Sequence, residues 1–151
     1  MAEQTSTSTS GSGRLHLILV AHDRQLLDVE CDEVTVPGSE GALGILPGHT
    51  PLMATLRVGE VMYRQGKIER WVALSEGFVE VADDMVTVLT ESAELPSEID
   101  VEAARKEASE AREELLTAAS SDWSKAQVRL EKALARITVA SRVQQEDLRP
   151  R

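Results

Sequence analysis

The sequence predicts an α+β fold, in which an N-terminal antiparallel β-sandwich of about ten short strands precedes a C-terminal antiparallel two-helix hairpin. From residue 14 to 95, short β-rich runs alternate with turn residues at close intervals, as is typical of a sandwich or barrel. After Pro96 glycine disappears, and alanine and charged residues dominate, as is typical of helices. This change predicts a sandwich domain over residues 14–95 and a helical domain over residues 96–151.

The N-terminal segment, MAEQTSTSTSGSG, is predicted to be a disordered tail over residues 1–13. It has neither the apolar core of a signal peptide nor the arginines of a transit peptide. The longest uninterrupted apolar run, Leu17–Ala21, is far shorter than the ~20 residues that a membrane helix needs. We therefore expect any association with a membrane to go through a partner.

Eight runs in the first domain are predicted as strands, separated by turn residues. Turns at residues 65–67 and 82–84 each predict a hairpin. Residues 78–81 alternate around Glu80, which predicts one face of that strand in water and one buried face that needs a second layer. The runs are LHLILV, QLLDV, EVTV, LMATL, EVMYR, IERWVAL, FVEV and MVTVLT.

The second domain predicts two helices joined by a short link, and therefore an antiparallel hairpin. The first is expected from about Ile99 to Ala119, with Ser97 and Asp100 as a capping box in which Asp replaces the preferred Glu. The second is expected from Trp123 to about Gln144, with Asp122 or Ser121 as its N-cap.

Each helix carries a narrow apolar seam that consists mostly of alanine. A buried methyl group contributes ~0.8 kcal/mol, much less than a leucine, so such a seam adheres weakly, although alanine is the best helix former. Two interpretations stay open: the helices detach while remaining helical, or alanine lets them approach closely in one fixed state. The seams are Val101, Ala104, Ala108, Ala111, Leu115 and Ala118, and Ala126, Leu130, Ala133, Ile137 and Ala140.

Charge is distributed unevenly along the chain. The formal net charge of −10 argues against a general affinity for nucleic acid or anionic lipid. Residues 99–122 hold seven acids and three bases, whereas residues 123–151 hold seven bases and three acids. The helices should attract each other, and an acidic partner could compete for the second helix. The alternative is a solvated charged face, which is what charge runs usually are.

Catalytic and cofactor motifs do not emerge from the sequence. The spacing of Gly38, Gly41 and Gly44 fits neither a phosphate loop nor a dinucleotide fingerprint. Ser75 lacks the leading glycine of a nucleophile elbow. The three histidines, His16, His22 and His49, are scattered, and the lone Cys31 forms neither an internal disulfide nor a zinc pattern. We therefore predict no catalytic residue, no cofactor and no metal, and a protein that is not an enzyme on its own.

One segment carries a specific resemblance. Residues 36–56, with GSEG at 38–41 and LGILPGHTPL at 43–52, strongly resemble the signature of the epsilon subunit family of F-type ATP synthases, the counterpart of the mitochondrial delta subunit. Residues 73–81, residues 86–93 and the Ile-Asp start of the helical tail extend the match. It covers roughly residues 14–145, nearly the whole chain.

The resemblance implies a non-catalytic rotor subunit of the central stalk. In that family the sandwich binds the gamma subunit and sits on the c-ring, so that ion-driven rotation reaches the catalytic head. The implied contact residues are Gly38, Ser39, Glu40, Gly41, Ala42, Pro47 and His49. Family members often have an acid at the position of Ala42, which puts one polar contact to the ring in doubt. The implied location is peripheral, on the cytoplasmic side of a bacterial cell membrane.

For the helical tail, the resemblance implies a mobile element that can enter the alpha/beta head and restrain ATP hydrolysis. The implied contacts to a beta subunit are Arg129, Lys132 and Arg136, at three- and four-residue spacing on one helix side.

Some family members also bind ATP in the folded hairpin through an Ile/Leu-Asp-x-x-Arg-Ala motif. Here Ile99, Asp100 and Ala104 match, but Ala103 stands at the arginine position. ATP binding is therefore expected to be weak or absent. A different class of function stays open from the sequence: a free-standing β-sandwich module that binds a small ligand, with the helices as a static cap.

Overall fold

The computed structural model describes residues 13–117 and 119–147. Within that range, ten strands form an N-terminal sandwich, and two long helices form a C-terminal hairpin, as predicted. The predicted tail at residues 1–12 and the seam residue Ala118 lie outside the described residues. The strands are β1 Leu15–Ala21, β2 Gln25–Cys31, β3 Glu33–Gly38, β4 Gly41–Ile45, β5 Leu52–Leu56, β6 Gly59–Gln65, β7 Ile68–Leu74, β8 Gly77–Ala82, β9 Met85–Thr90 and β10 Ala93–Glu94.

The strands follow one continuous path that folds back on itself, in the order β10-β7-β6-β3-β5-β8-β9-β1-β2, with β4 paired to β3. The prediction of antiparallel strands is wrong for one pair, because β1 and β9 run parallel, with Leu17 opposite Val86. Strand β9 reaches β1 only after a long excursion of the chain, so no tight hairpin forces these two strands to be antiparallel. The other pairs described are antiparallel.

The sandwich core is built from alternate residues of facing strands, as the period of two predicts. Branched aliphatic side chains dominate it, which suits a pleated surface packed on one face. The largest fully buried side chains are Leu15, Leu17, Leu19, Ile45, Val34, Val36, Val61, Val72, Val79, Val81, Val86 and Val88.

Both predicted hairpin turns are present, and each uses left-handed backbone conformations. Gly66 has φ of 64°, between β6 and β7. Asp83 and Asp84 have φ of 51° and 60°, between β8 and β9. Two consecutive positive φ values match the type I′ geometry that follows the twist of a hairpin, and aspartate tolerates it better than most residues.

All eight predicted runs are strands, but two further strands were not predicted individually. Strand β4 contains two glycines, which are depleted in strands, yet its backbone pairs with β3 from Gly41 to Ile45. Strand β10 has two residues, which pair with Ala73 and Leu74. Backbone pairing does not depend on side-chain type, so composition alone does not reveal such strands.

The helices begin and end at residues that differ from the prediction. Helix α1 spans Val101–Thr117 and α2 spans Ser120–Asp147. Ser97 lies in a single 3₁₀ turn at Pro96–Glu98, and Asp100 alone caps α1, since its Oδ1 accepts the Ala103 N–H at 3.0 Å. Ser121 and Asp122 are not N-caps but belong to the first turn of α2, where an acid favours the positive end of the helix dipole.

The hairpin packs through its alanines and lies against one outer face of the sandwich. Ala104, Ala108 and Ala111 of α1 are buried, as are Ala126, Ala133 and Ala140 of α2. The other described seam residues are half-buried. Further buried side chains of α2 face the sandwich at β6 and β7, among them Ala135 and Val139. The guanidinium of Arg142 lies 4.7 Å from the ring centroid of Trp71 on β7, a cation–π contact between hairpin and sandwich.

Candidate interaction surfaces

The outer face of strands β5, β8 and β9 exposes several large apolar side chains. Met53 is 69% exposed, Phe78 46%, Met85 43% and Leu89 37%. Phe78 lies opposite Leu89 in the β8–β9 pair, and Leu89 lies opposite the half-buried Val20 of β1. We call Met53, Phe78, Met85, Leu89 and Val20 the apolar face.

None of the described helices packs on the apolar face, whereas the outer face of β6 and β7 lies beneath α2. Phe78, Leu89 and Val20 form an apolar row across three neighbouring strands, with Met53 and Met85 on the same face beyond Glu80 and Thr87. A group of exposed apolar side chains on a folded domain commonly marks a protein–protein contact. Sequence analysis did not single out this face. The available signal was that Phe78 and Leu89 alternate with buried valines, which places apolar residues on both sides of one sheet.

The predicted contact residues 38–42 form the tight turn between β3 and β4. Gly38 and Gly41 pair directly, and a Cβ at Gly38 would meet the Gly41 carbonyl oxygen at 2.6 Å. The Ser39 N–H donates to the Thr55 carbonyl at 3.1 Å, and the Thr55 hydroxyl donates to the Ser39 hydroxyl at 2.9 Å. These bonds fix the turn, while Glu40 and Ala42 are exposed at its tip.

Pro47 and His49 lie in the next loop, at the other end of β4. Gly48 has φ of 83°, which favours glycine, and its N–H donates to Oδ1 of Asp84 at 2.7 Å. The His49 N–H donates to the Leu46 carbonyl at 3.1 Å. Because β4 is five residues long, roughly 15 Å separates this loop from the 38–42 turn. The structure thus places the predicted contact residues in two separate loops.

The predicted basic residues of α2 lie together on one side of the helix. Arg129, Lys132 and Arg136 line one cleft of about 360 Å³ between the hairpin and the edge of the sandwich. Nε of Arg129 binds Glu107 at 2.7 Å, and Nε of Arg136 binds Glu94 of β10 at 3.1 Å. Lys132 forms no ion pair with the described residues. In the packed hairpin, therefore, two of the three cations are bound to acids of the same chain.

The nucleotide-motif residues surround the start of α1. Asp100 caps the helix, Ala104 is fully buried, and Ile99 is half-buried. Ala103, at the arginine position of the motif, lines the same cleft as Arg129. Arg105 is largely exposed and bound to Glu102 at 3.0 Å, outside the residues that line the cleft. Arg105 therefore does not take the place of the missing arginine in this cleft.

Two further features concern the chemistry of the described residues. They contain no group of three or more histidine, cysteine or acidic side chains arranged to hold a metal ion. Among them, no helix combines the length and the apolar character that crossing a membrane requires.

The surfaces described above comprise an apolar sheet face, two rigid loops and a charged helical hairpin. The fold and these surfaces define a sandwich-and-hairpin subunit of the type that works through contacts with other proteins.

Comparison with known families gives the particular assignment. Residues 14–96 match the family model described as ATP synthase, Delta/Epsilon chain, beta-sandwich domain, and residues 97–141 match the long alpha-helix domain of the same family. The chain belongs to the ATP synthase delta/epsilon family.

Individual relatives agree with this assignment. The ATP synthase epsilon chain 2 of Syntrophotalea carbinolica is 44% identical over 131 residues, which cover 85% of this chain and 95% of the relative. The ATP synthase epsilon chain of Halalkalibacterium halodurans is 45% identical over 130 residues, covering 85% and 98%.

A solved structure has the same fold. A chain of the Euglena gracilis mitochondrial ATP synthase, in a cryo-EM structure of its OSCP/F1/c-ring, superposes with a TM-score of 0.76 at 24% identity. The match covers 93% of this chain and 89% of that one.

Proposed function

We propose that this chain is a central-stalk rotor subunit of an F-type ATP synthase, which couples rotation of the c-ring to the catalytic head through the gamma subunit. Membership of the family supports the assignment to the complex. The apolar face is the observation that carries the role as a docking subunit, because it leaves large side chains in water unless a partner covers them.

The apolar face is the proposed contact with gamma. It combines an aromatic anchor, Phe78, with two flexible methionines and Leu89, a composition that protein interfaces favour. Strands β8 and β9 are paired along both edges, so Phe78, Met85 and Leu89 are held on a rigid surface and docking costs little conformational entropy.

The two rigid loops are the proposed contacts with the c-ring. Residues 38–42 are held by the hydrogen bonds between Ser39 and Thr55. Residues 47–49 are held by the hydrogen bond from the Gly48 N–H to the Asp84 carboxylate. Their separation of roughly 15 Å would spread the contact over more than one point of the ring. Through these partners the protein is peripheral, on the cytoplasmic side of a bacterial membrane.

The hairpin is the proposed regulatory element, which restrains ATP hydrolysis when it leaves the sandwich and enters the alpha/beta head. Arg129, Lys132 and Arg136 would then bind acidic residues of a beta subunit. In the packed state Glu107 and Glu94 already bind the two arginines, so these acids compete with the beta subunit for the same cations. The proposed switch is therefore an exchange of ion pairs rather than the creation of new ones.

Binding to gamma is the direct test of the rotor assignment. In the full chain, Phe78→Glu should weaken binding to the gamma subunit of the same organism at least thirtyfold, about 2 kcal/mol, because it places a charge at the centre of the interface. Ile68→Glu is the matched control, since Ile68 is also 46% exposed but lies outside the apolar face. Isothermal titration calorimetry measures both.

Retention of full affinity by a folded Phe78→Glu variant would rule out the apolar face as the gamma contact. Absence of any complex between the unmodified chain and gamma would count against the rotor role itself. That outcome would favour the alternative of a free-standing ligand-binding sandwich with a static helical cap. Removal of residues 97–151 separates the two further: the rotor role with a regulatory hairpin predicts faster ATP hydrolysis by the assembled enzyme.

A further inference from the structure

A second groove, of about 950 Å³, lies between strand β7 and the base of the hairpin. It is formed by the first half of β7, by the segment that leads into α1, and by the last described turns of α2. None of its lining residues lines the cleft that holds Arg129. Its volume is within the range of ~300 to 1,000 Å³ that small-molecule sites occupy.

The floor of this groove is an open strand edge. The four consecutive residues Ile68–Trp71 all line it, although neighbouring side chains of a strand point to opposite faces. A single groove can contact all four only if it runs along the edge of the strand. Strand β6 pairs with β7 along one side, whereas β10 pairs on the other side only with Ala73 and Leu74. Backbone donors and acceptors of the edge therefore face the groove.

Apolar side chains from both domains form the walls. Ile68 of the sandwich is 46% exposed, and Val143 of α2 is 37% exposed. Val101 at the start of α1 and the indole of Trp71 complete the apolar surface. Ile68 and Val143 are exposed, and Val101 and Trp71 are half-buried, so an apolar ligand in this concave surface would remove them further from water.

One end of the groove offers hydrogen-bond donors. The ring of Tyr63 is buried, whereas its hydroxyl reaches solvent at the groove and has no hydrogen-bond partner among the described residues. Burial raises the pKa of Tyr63, which keeps the hydroxyl protonated as a donor. Arg70, directly opposite Tyr63 in the β6–β7 pair, binds Gln65 at 3.1 Å and forms no ion pair with the described carboxylates.

The one acidic side chain that lines the groove is Glu69. It precedes Arg70 in β7, so the two side chains point to opposite faces of the strand, and Arg64, which lies opposite Glu69, binds Glu33 at 3.3 Å. No described carboxylate binds Tyr63 or Arg70. An apolar groove with donors at one end fits a ligand with an apolar body and an anionic head group.

We propose that the groove binds a small anionic amphiphile, whose carboxylate binds Arg70 and Tyr63 and whose apolar part packs on Ile68, Val101 and Val143. This site goes beyond the proposed rotor function and does not depend on it. Because sandwich and hairpin each supply a wall, only the packed hairpin forms the complete site. The ligand therefore stabilises the packed hairpin by mass action.

Trp71 provides the readout in the full chain. The chain has two tryptophans, so a Trp123→Phe variant leaves Trp71 as the sole indole. In this variant, laurate below its micellar concentration should change the fluorescence with saturation. Dodecyltrimethylammonium, which has the same tail length and the opposite charge, should bind at least roughly tenfold more weakly, because the donors favour an anion.

Substitution of the donors tests the position of the head group. Tyr63→Phe combined with Arg70→Gln should weaken laurate binding at least roughly tenfold, since both bonds to the carboxylate are lost. Tyr63→Phe keeps the buried ring, and an unchanged far-UV spectrum confirms folding. Arg57→Gln, an exposed arginine outside the groove, is the matched control.

The possible outcomes separate clearly. Saturation by laurate, with loss in the double variant and not in Arg57→Gln, supports the site. Absence of saturation, equal binding of the cationic amphiphile, or full affinity in the double variant overturns it. Binding to phosphatidylglycerol vesicles without binding of free laurate also overturns it, since the surface would then recognise a membrane and not a small molecule.

Discussion

Arg129 of α2 binds Glu114 of α1 through two contacts, in which Nη1 lies 2.6 Å from each carboxylate oxygen. The same guanidinium reaches Glu107, two helical turns away, through Nε. Hydrogen bonding to Glu107 and then to Glu114 raises the pKa of Arg129, and the bond to Arg129 lowers the pKa of Glu107. One cation thus joins the two helices at a seam that is otherwise mostly alanine.

This arrangement predicts that substituting the two acids and substituting the arginine have opposite effects on ATP hydrolysis. Glu107→Gln with Glu114→Gln frees Arg129 for an acidic partner and should lower ATP hydrolysis by the assembled enzyme. Arg129→Gln removes the cation from both contacts and should raise it. Steady-state hydrolysis by enzyme reconstituted with each variant measures the effect. Changes in the same direction would contradict the proposed exchange of ion pairs.

The contact between Arg24 and Glu98 predicts a pH dependence of stability. Nη2 of Arg24 lies 2.6 Å from Oε2 of Glu98, and this bond, with the Leu95 N–H, lowers the pKa of Glu98 from 4.5 to about 2. A carboxyl with a lower pKa in the folded chain binds fewer protons there, so its stabilisation is complete above pH 4.5 and disappears as the pH falls to about 2.

Glu98→Gln should therefore flatten the fall of the melting temperature between pH 4.5 and about 2, and should lower that temperature at pH 7. Calorimetry across this range measures the effect. Glu91→Gln is a suitable control, because Glu91 is exposed and forms no side-chain ion pair in the described part of the chain. Parallel curves for Glu98→Gln and the unmodified chain would contradict the assignment.

The surroundings of Gly77 and Gly44 predict that the same substitution, glycine to alanine, destabilises the fold at Gly77 much more than at Gly44. A Cβ at Gly77 would lie 2.0 Å from the Leu89 carbonyl oxygen, which is backbone and cannot move independently of β9. At Gly44 nothing lies within 4 Å. Gly77→Ala should lower the free energy of unfolding by more than about 3 kcal/mol, whereas Gly44→Ala should change it by less than about 1 kcal/mol. Urea denaturation followed by circular dichroism compares them.

Ala108 predicts how tightly the helices are fitted. Its side chain is buried between α1 and α2, so Ala108→Leu overfills the seam and should cost about 1 to 3 kcal/mol of unfolding free energy. The adjacent Ser109 is exposed, and Ser109→Leu should change stability by less than about 0.5 kcal/mol. Trp123 fluorescence in a Trp71→Phe background follows the hairpin. Equal stability of the two variants would mean that the seam is not closely packed.

Replacement of Ala103 by arginine should create a binding site for MgATP. Ala103 lines the cleft with Arg129 and Arg136, at the position where the nucleotide motif has arginine. The unmodified chain should bind MgATP weakly or not at all, and Ala103→Arg should give saturable binding by adding a phosphate donor. Isothermal titration calorimetry measures both, with Ala103→Gln as an uncharged control of similar length. Tight binding by the unmodified chain would contradict the expectation based on the missing arginine.

The sandwich was predictable because its signals are local. The buried valines on either side of Glu80 mark strand β8, and turn residues such as Gly66 separate neighbouring strands. The parallel pairing of β1 with β9 was not predictable in this way, since nothing near Leu17 or Val86 encodes which distant strand lies beside it. Strand β4 was missed because glycine in a sheet has no side-chain signature.

The candidate surfaces were predictable only in part. The basic residues of α2 were identified from their spacing, but their binding to Glu107 and Glu94 depends on how the hairpin packs. The apolar face combines strands that are distant in sequence, so Val20 and Leu89 become neighbours only after folding. The sequence does not reveal that residues 38–42 and 47–49 form two separate loops, because the strand between them, β4, was not predicted.

The position of β1 determines when the sandwich can be completed during synthesis. This first strand lies inside the sheet, between β2 and a strand that ends at Thr90. Until Thr90 has left the ribosome, one edge of β1 has no partner, and the nascent chain must keep that edge from aggregating. The hairpin is translated only afterwards, so it meets a sandwich whose long-range closure can already have taken place.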